Sequence, residues 1–202
     1  VVELKIGLDG IAVAETTIAS VNGQKGRLIY RGNRIEDVVA QHNYESVVFL
    51  ILEGRFPKED EKKTFSDRLK SERDLPDSVK VILRSLPHDT PVMQAIRTAV
   101  SALSFGQTPW PPTQAQALAI FAKMPTIIAF FHHVSHGQEP IEPDKSLGHA
   151  ANYLYMLHGK KPTQAHVEAL ETYLSVSIEH GMNASTFTAR VVSATEENIV
   201  GA

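Results

Sequence analysis

Thr16, Thr17, Ile18 and Val21 lead into Asn22-Gly23, and Leu28, Ile29 and Tyr30 follow. Two runs of β-branched and aromatic residues around Asn-Gly predict a hairpin, within about residues 15–32. From there the apolar period lengthens, and about residues 34–202 read as helix after helix. Asn43 is placed to cap a helix running through Glu53, with Gly54 as its stop. Val47, Val48, Leu50, Ile51 and Leu52 make that helix apolar nearly all round, which predicts burial. Pro57 opens a charged helix that should face water. Another spans Pro76 to Leu86 and ends at Pro87, and Thr90-Pro91 opens one that reaches about Leu103.

Pro109, Pro111 and Pro112 around Trp110 mark a loop from Gly106 to Thr113. A long apolar segment follows, from Gln114 to about Val134. Pro125 lies inside it and is expected to kink or break it, because proline lacks an N–H and clashes with the preceding turn. Ser146 to Leu157 forms a further helix stopped by Gly159, and Pro162 starts the next. Its stripe is Val167, Leu170, Leu174 and Ile178, at spacings of three and four. Gly181 interrupts it, and Asn183 or Ser185 can cap a last helix. That helix is expected to reach Ile199-Val200-Gly201-Ala202, an apolar, uncapped end that reads as a cut within a longer protein. The fold class is all-α with a small N-terminal β-hairpin, and no internal repeat is visible.

Composition narrows the function. The 202 residues suffice for one good-sized core or two small ones. A net charge of −3 gives no basic field for nucleic acid. Cysteine is absent, which excludes disulfides, thiolate zinc sites and a cysteine nucleophile, and fits the cytosol. The longest apolar candidate, around Pro125 to Phe131, falls short of the roughly 18 residues that cross a bilayer. The start, VVELKIGLDG, lacks a signal-peptide pattern. A cytoplasmic chain with no membrane partner is the expectation.

Chemistry concentrates at His180-Gly181-Met182-Asn183-Ala184-Ser185-Thr186-Phe187-Thr188-Ala189-Arg190. His180 and Asn183 are three apart and share one side of a helix or helix junction. Phe187 and Arg190 continue that face if a helix resumes. An imidazole, an amide and a guanidinium together suit a small carboxylate or keto acid. The plainer reading is a capped junction, with Asn183 as N-cap and His180 near a helix C-terminus. His132, His133 and His136 invite a zinc reading, but a third ligand is lacking and Glu139 lies past Gly137. A solvated helix end suits them better. His149, His158 and His166 read as surface or packing residues, and Asp89 and Arg97 as unremarkable surface charges. Arg27, Arg31 and Arg34 cluster after the hairpin, either to bind a phosphate or as surface charge.

Gly7-Leu8-Asp9-Gly10, Glu15-Thr16 and the run Gly26 to Gly32 resemble the opening of bacterial citrate synthases. So do Ala122 to Thr126 and Ala150 to Leu157, and the strongest resemblance is His180 to Val192, HGMNASTFTARVV. The blocks are in order and cover nearly the whole chain. The resemblance implies a transferase of the tricarboxylic acid cycle that joins acetyl-CoA to oxaloacetate, adds water and releases CoA. It implies a mainly helical homodimer whose small domain closes on a large one. Its partners are oxaloacetate and acyl-CoA, with no cofactor and no metal. His180 matches the histidine that hydrogen-bonds oxaloacetate, and Asn183 the amide beside it. Arg190 stays open between substrate contact and surface charge.

The family's enolate-side histidine, second histidine, catalytic aspartate and clamping arginines lie beyond Ala202. Residues 1–202 therefore resemble the N-terminal part of the large domain, without the small domain. No catalytic residue is expected within the chain, and it should be inactive alone. Two alternatives stand: a 2-methylcitrate synthase using propionyl-CoA, or a non-catalytic large-domain fragment serving as a dimerisation or binding module. Two departures are visible: relatives often carry an acidic residue where this chain has Gly181, and many carry basic or aromatic residues where it has His132 and His133.

Overall fold

The computed structural model describes residues 11, 14–103 and 110–201. Gly7 to Gly10, Gly106 to Pro109 and Ala202, all invoked above, lie outside them. Three short strands, β1 (Ala19–Asn22), β2 (Arg27–Tyr30) and β3 (Asn33–Arg34), form an antiparallel sheet in that order. The hairpin is present, but its connection is not the two-residue Asn-Gly turn. Asn22 pairs with Arg27, and Gly23–Lys25 form a single 3-10 turn closed by Gly26 at φ +56°. The Asn22 side chain accepts the Lys25 N–H at 3.0 Å, so it caps the turn instead of sitting at its tip. β3 adds a strand where helix was expected.

Nine helices follow among the described residues: α1 (Ile35–Gln41), α2 (Tyr44–Glu53), α3 (Glu59–Ser71), α4 (Asp77–Ser85), α5 (Val92–Ser101), α6 (Gln114–Ser135), α7 (His149–His158), α8 (Gln164–Ser177) and α9 (Ala184–Ser193). Their starts obey local chemistry. Asn43 accepts the Ser46 N–H at 3.1 Å, and Gly54 closes α2 at φ +76°. Thr113 and Gln116 form a reciprocal capping box on α6. As expected, α2 is buried, from Tyr44 through Leu50.

The longest apolar segment differs from expectation twice. Helix α6 runs through Pro125 unbroken. Proline forfeits one bond of the ladder, but the turns on both sides are held by Ala122, Thr126, Ile127, Ala129 and Phe130, all buried. By length and mean hydropathy, 1.5 over its most apolar window, this helix could also span a membrane. Polar residues scattered along it hid that length from a count of continuous apolar residues. Since 61% of the window is buried inside the protein, α6 is the central core helix. One apolar cluster joins α6 to α4 and α5 through Leu75, Val79, Leu83, Ala95, Ala99, Leu103, Ile127 and Phe131. A second gathers Tyr30, Val38, Val47 and Leu50 between the sheet, α1 and α2.

Polar staples tie the layers. The Arg73 guanidinium is buried between α3 and α4, and donates to the carbonyls of Leu147 (2.8 Å) and Asp144 (3.3 Å) ahead of α7. Buried Lys123 of α6 donates to the Glu72 carbonyl (2.6 Å) and carboxylate (3.1 Å) at the end of α3. The last helix ends at Ser193, short of the expected terminus. Glu196 then takes φ +64°, and Val200 folds back onto the α4–α5–α6 cluster.

Candidate functional site

The junction between α8 and α9 carries the candidate site. Thr163 starts α8 by accepting the His166 N–H, and the helix stops at Ser177 with Ile178 as its cap. Ile178 packs into the sheet–α1–α2 cluster. The chain then passes through Glu179 and His180 to Gly181. There φ is +98°, a conformation that strains any residue with a Cβ. This geometry suits the glycine found there. The Glu179 carboxylate, two residues earlier, accepts the Gly181 N–H through Oε1 at 2.6 Å.

Asn183 starts α9 as expected. Its Oδ1 accepts the Thr186 N–H at 2.9 Å, which fixes the amide's orientation. The other end, Nδ2, therefore faces His180, 3.4 Å from Nε2. An amide N–H donates, so in this pairing Nε2 is the acceptor and Nδ1 is left as the ring's donor. His180 is exposed, and that Nδ1–H is available to an incoming oxygen. Arg190 lies two turns along α9, exposed and without a side-chain partner among the described residues. The structure thus brings His180 and Asn183 together, and leaves Arg190 on the same helix without contact to either. Helix α9 has no buried residue.

The remaining candidates sort by their surroundings. His133 is not at a solvated helix end. It is buried, with Nε2 donating to the Met156 carbonyl at 2.7 Å and Nδ1 at 3.0 Å from Gln138 Oε1. Its partners come from the loop after α6 and from α7, which sequence spacing does not reveal. His132 and His136 are exposed, and the His136 ring bonds the His132 carbonyl at 2.7 Å. Among the described residues no three His, Asp or Glu side chains gather as a metal site. His149 is a packing residue, stacked on Phe121 at 4.8 Å, and burial pushes its pKa down to about 4. Arg31 is spent on the Ile51 carbonyl at the end of α2 (2.8 Å), and Arg34 on Glu36 (3.3 Å), so the arginine cluster is no phosphate cradle.

A cleft of about 670 Å³ lies between α7 and α8 and is lined by Leu154, His158, Lys160, Lys161 and His166. It sits at the opposite end of α8 from His180, roughly 20 Å along the helix axis. Cavity size and candidate chemistry therefore do not coincide in this chain. Sequence reading missed Tyr30 and Glu179 at the junction. The signal for Glu179 was its place beside Gly181, and Tyr30 had none.

A helical scaffold with a small sheet, presenting a histidine–asparagine pair at a helix junction, is the class that fold and site define. The family model described as "Citrate synthase, C-terminal domain" matches residues 7–202. The chain is 39% identical to the citrate synthase of Haloferax volcanii, over 99% of this chain and 55% of that protein. It is 36% identical to a 2-methylcitrate synthase of Mycobacterium tuberculosis, over 99% of this chain and 52% of that one. The crystal structure of citrate synthase from Thermotoga maritima superposes with a TM-score of 0.88 at 27% identity, covering 98% of this chain and 53% of that one. This chain belongs to the citrate synthase family, and it spans about half the length of the relatives it matches.

Proposed function

We propose that residues 1–202 form the N-terminal part of the large domain of a citrate-forming synthase. In this reading His180 and Asn183 hold oxaloacetate. The observation that carries it is the oriented amide, which leaves His180 as an exposed Nδ1–H donor. A donor aimed at the ketone or a carboxylate of oxaloacetate holds the acceptor in place and offsets the charge that develops on its oxygen. Arg190 adds a guanidinium on the same helix for the second carboxylate. The reaction forms a bond between the acyl α-carbon and the ketone carbon of oxaloacetate. The α-proton leaves to a base, the ketone oxygen gains a proton, and water then cleaves the thioester to release CoA. In this reading that base and the remaining histidines lie outside these residues, and this chain supplies binding and orientation. The homodimer, the cytoplasmic site and the absence of a cofactor follow from the same reading.

Relatives named for citrate and for 2-methylcitrate match at similar identity, so acyl-CoA is the class of co-substrate proposed. The test is thiol release from acetyl-CoA or propionyl-CoA with oxaloacetate. The complete synthase polypeptide is expected to be active and the 202-residue chain inactive. In the complete enzyme H180A should weaken oxaloacetate use by about 10- to 150-fold, the worth of a hydrogen bond to a charged group. Unchanged oxaloacetate kinetics in H180A would remove His180 from the site.

A further inference from the structure

Tyr30 closes β2 and is fully buried, and its hydroxyl donates to the Val176 carbonyl, 3.1 Å away in the last turn of α8. The identity of that acceptor is informative. In a continuing α-helix the Val176 carbonyl would take the N–H four residues on, which belongs to His180. Helix α8 stops at Ser177 instead. The Glu179 backbone lies beside the same phenol oxygen, so the hydroxyl stands in the gap that one more helical turn would close. Burial raises the pKa of the phenol, which keeps it a protonated donor at neutral pH. Packing of Ile178 beside Tyr30, Val38 and Leu50 fixes the exit path from the other side.

We propose that Tyr30 is a positioning residue for His180: its hydroxyl ends α8 at Ser177 and so sets the imidazole against Asn183. The proposal rests on the reading of His180 as a substrate-holding group. Phenylalanine at this position keeps the ring in its cluster and removes the hydrogen bond to Val176. The Val176 carbonyl is then free to accept the His180 N–H, α8 gains a turn, and the imidazole rotates away from Asn183.

The experiment compares Y30F, H180A, the double variant and V79A in the complete synthase polypeptide. V79A trims the separate α4–α5–α6 apolar cluster, away from the end of α8, and serves as a control for lost stability. Y30F should raise the oxaloacetate KM about fivefold with a smaller change in kcat, and add nothing in the H180A background. V79A should lower Tm and leave that KM unchanged. Peptide-resolved hydrogen exchange should show the amides of residues 179–181 gaining protection in Y30F. A Y30F that loses Tm but keeps its KM, or whose KM effect persists in full without His180, overturns the proposal. If H180A itself leaves oxaloacetate kinetics unchanged, the substrate-site reading fails. Exchange at residues 179–181 still decides whether Tyr30 ends the helix, and unaltered exchange there in Y30F overturns that claim.

Discussion

The Glu45 carboxylate caps helix α7 from across the fold, accepting the backbone N–H of His149 at 2.8 Å. Helix α7 has no acidic residue in its own first turn, and Gly148 offers no side chain as a cap. A residue of α2 therefore satisfies an N–H that the local sequence leaves open. Glu45 is 8% exposed, so the bond is shielded from water. E45A should lower stability by about 1–3 kcal/mol, through loss of the cap and of the nearest carboxylate to the buried Arg73. E45Q keeps an acceptor oxygen and should cost less. Chemical denaturation of the two variants checks the order, and an E45A as stable as the parent contradicts the assignment.

His149 makes the fold sensitive to acid. Burial, then the Arg73 charge, hold its pKa near 4, against about 6.5 for an exposed imidazole. The groups around it are Phe121, Tyr44, Arg73 and the Glu45 carboxylate at its own N–H. With the folded value below the unfolded one, the unfolded chain takes up the proton first as pH falls. Stability from this residue is intact above pH 6.5 and is lost progressively between 6.5 and 4. The full loss is on the order of 3 kcal/mol. H149F should flatten the profile of Tm against pH across that window. An unchanged profile in H149F would place the acid sensitivity elsewhere.

Asn183 performs two tasks that substitutions can separate. Its Oδ1 caps α9, and its Nδ2 faces His180. N183A should lose both, costing about 1 kcal/mol of stability along with oxaloacetate affinity. N183D retains an oxygen for the Thr186 N–H but has no N–H to offer His180. It should keep Tm and still raise the oxaloacetate KM of the complete enzyme. An N183D with normal KM would reduce Asn183 to a cap alone.

Val81, Val92 and Met93 are exposed by 66%, 50% and 72% on neighbouring helices α4 and α5. Apolar surface of this kind favours a partner, and in the proposed homodimer it is available for a second copy. Sedimentation of the chain should show self-association that M93D weakens. A strictly monomeric chain at high micromolar concentration would speak against this face as an interface.

Much of the fold was legible because its signals are local. Asn43, Asn183, Gly54 and Gly159 mark helix ends through bonds that reach three or four residues, and the strands flanking Asn22-Gly23 declare themselves by composition. The His180-to-Val192 motif pointed to the candidate site by resemblance, while its spacing alone favoured a capped junction. Tertiary structure decided the rest, because the partners are far apart along the chain. Tyr30 meets Val176 across 146 positions, Glu45 meets His149 across 104, and Arg73 meets Leu147 across 74. No periodicity encodes which buried carbonyl a phenol or guanidinium will find. Likewise Pro125 stays inside α6 because neighbouring helices hold the turns around it, and His133 is buried because α7 offers a carbonyl to its ring. The sequence by itself determined many of the helix ends and pointed to the residues proposed to carry the chemistry. Only the packed fold decided which ends are capped from a distance and how the imidazole of His180 is aimed, since those depend on groups brought together by burial.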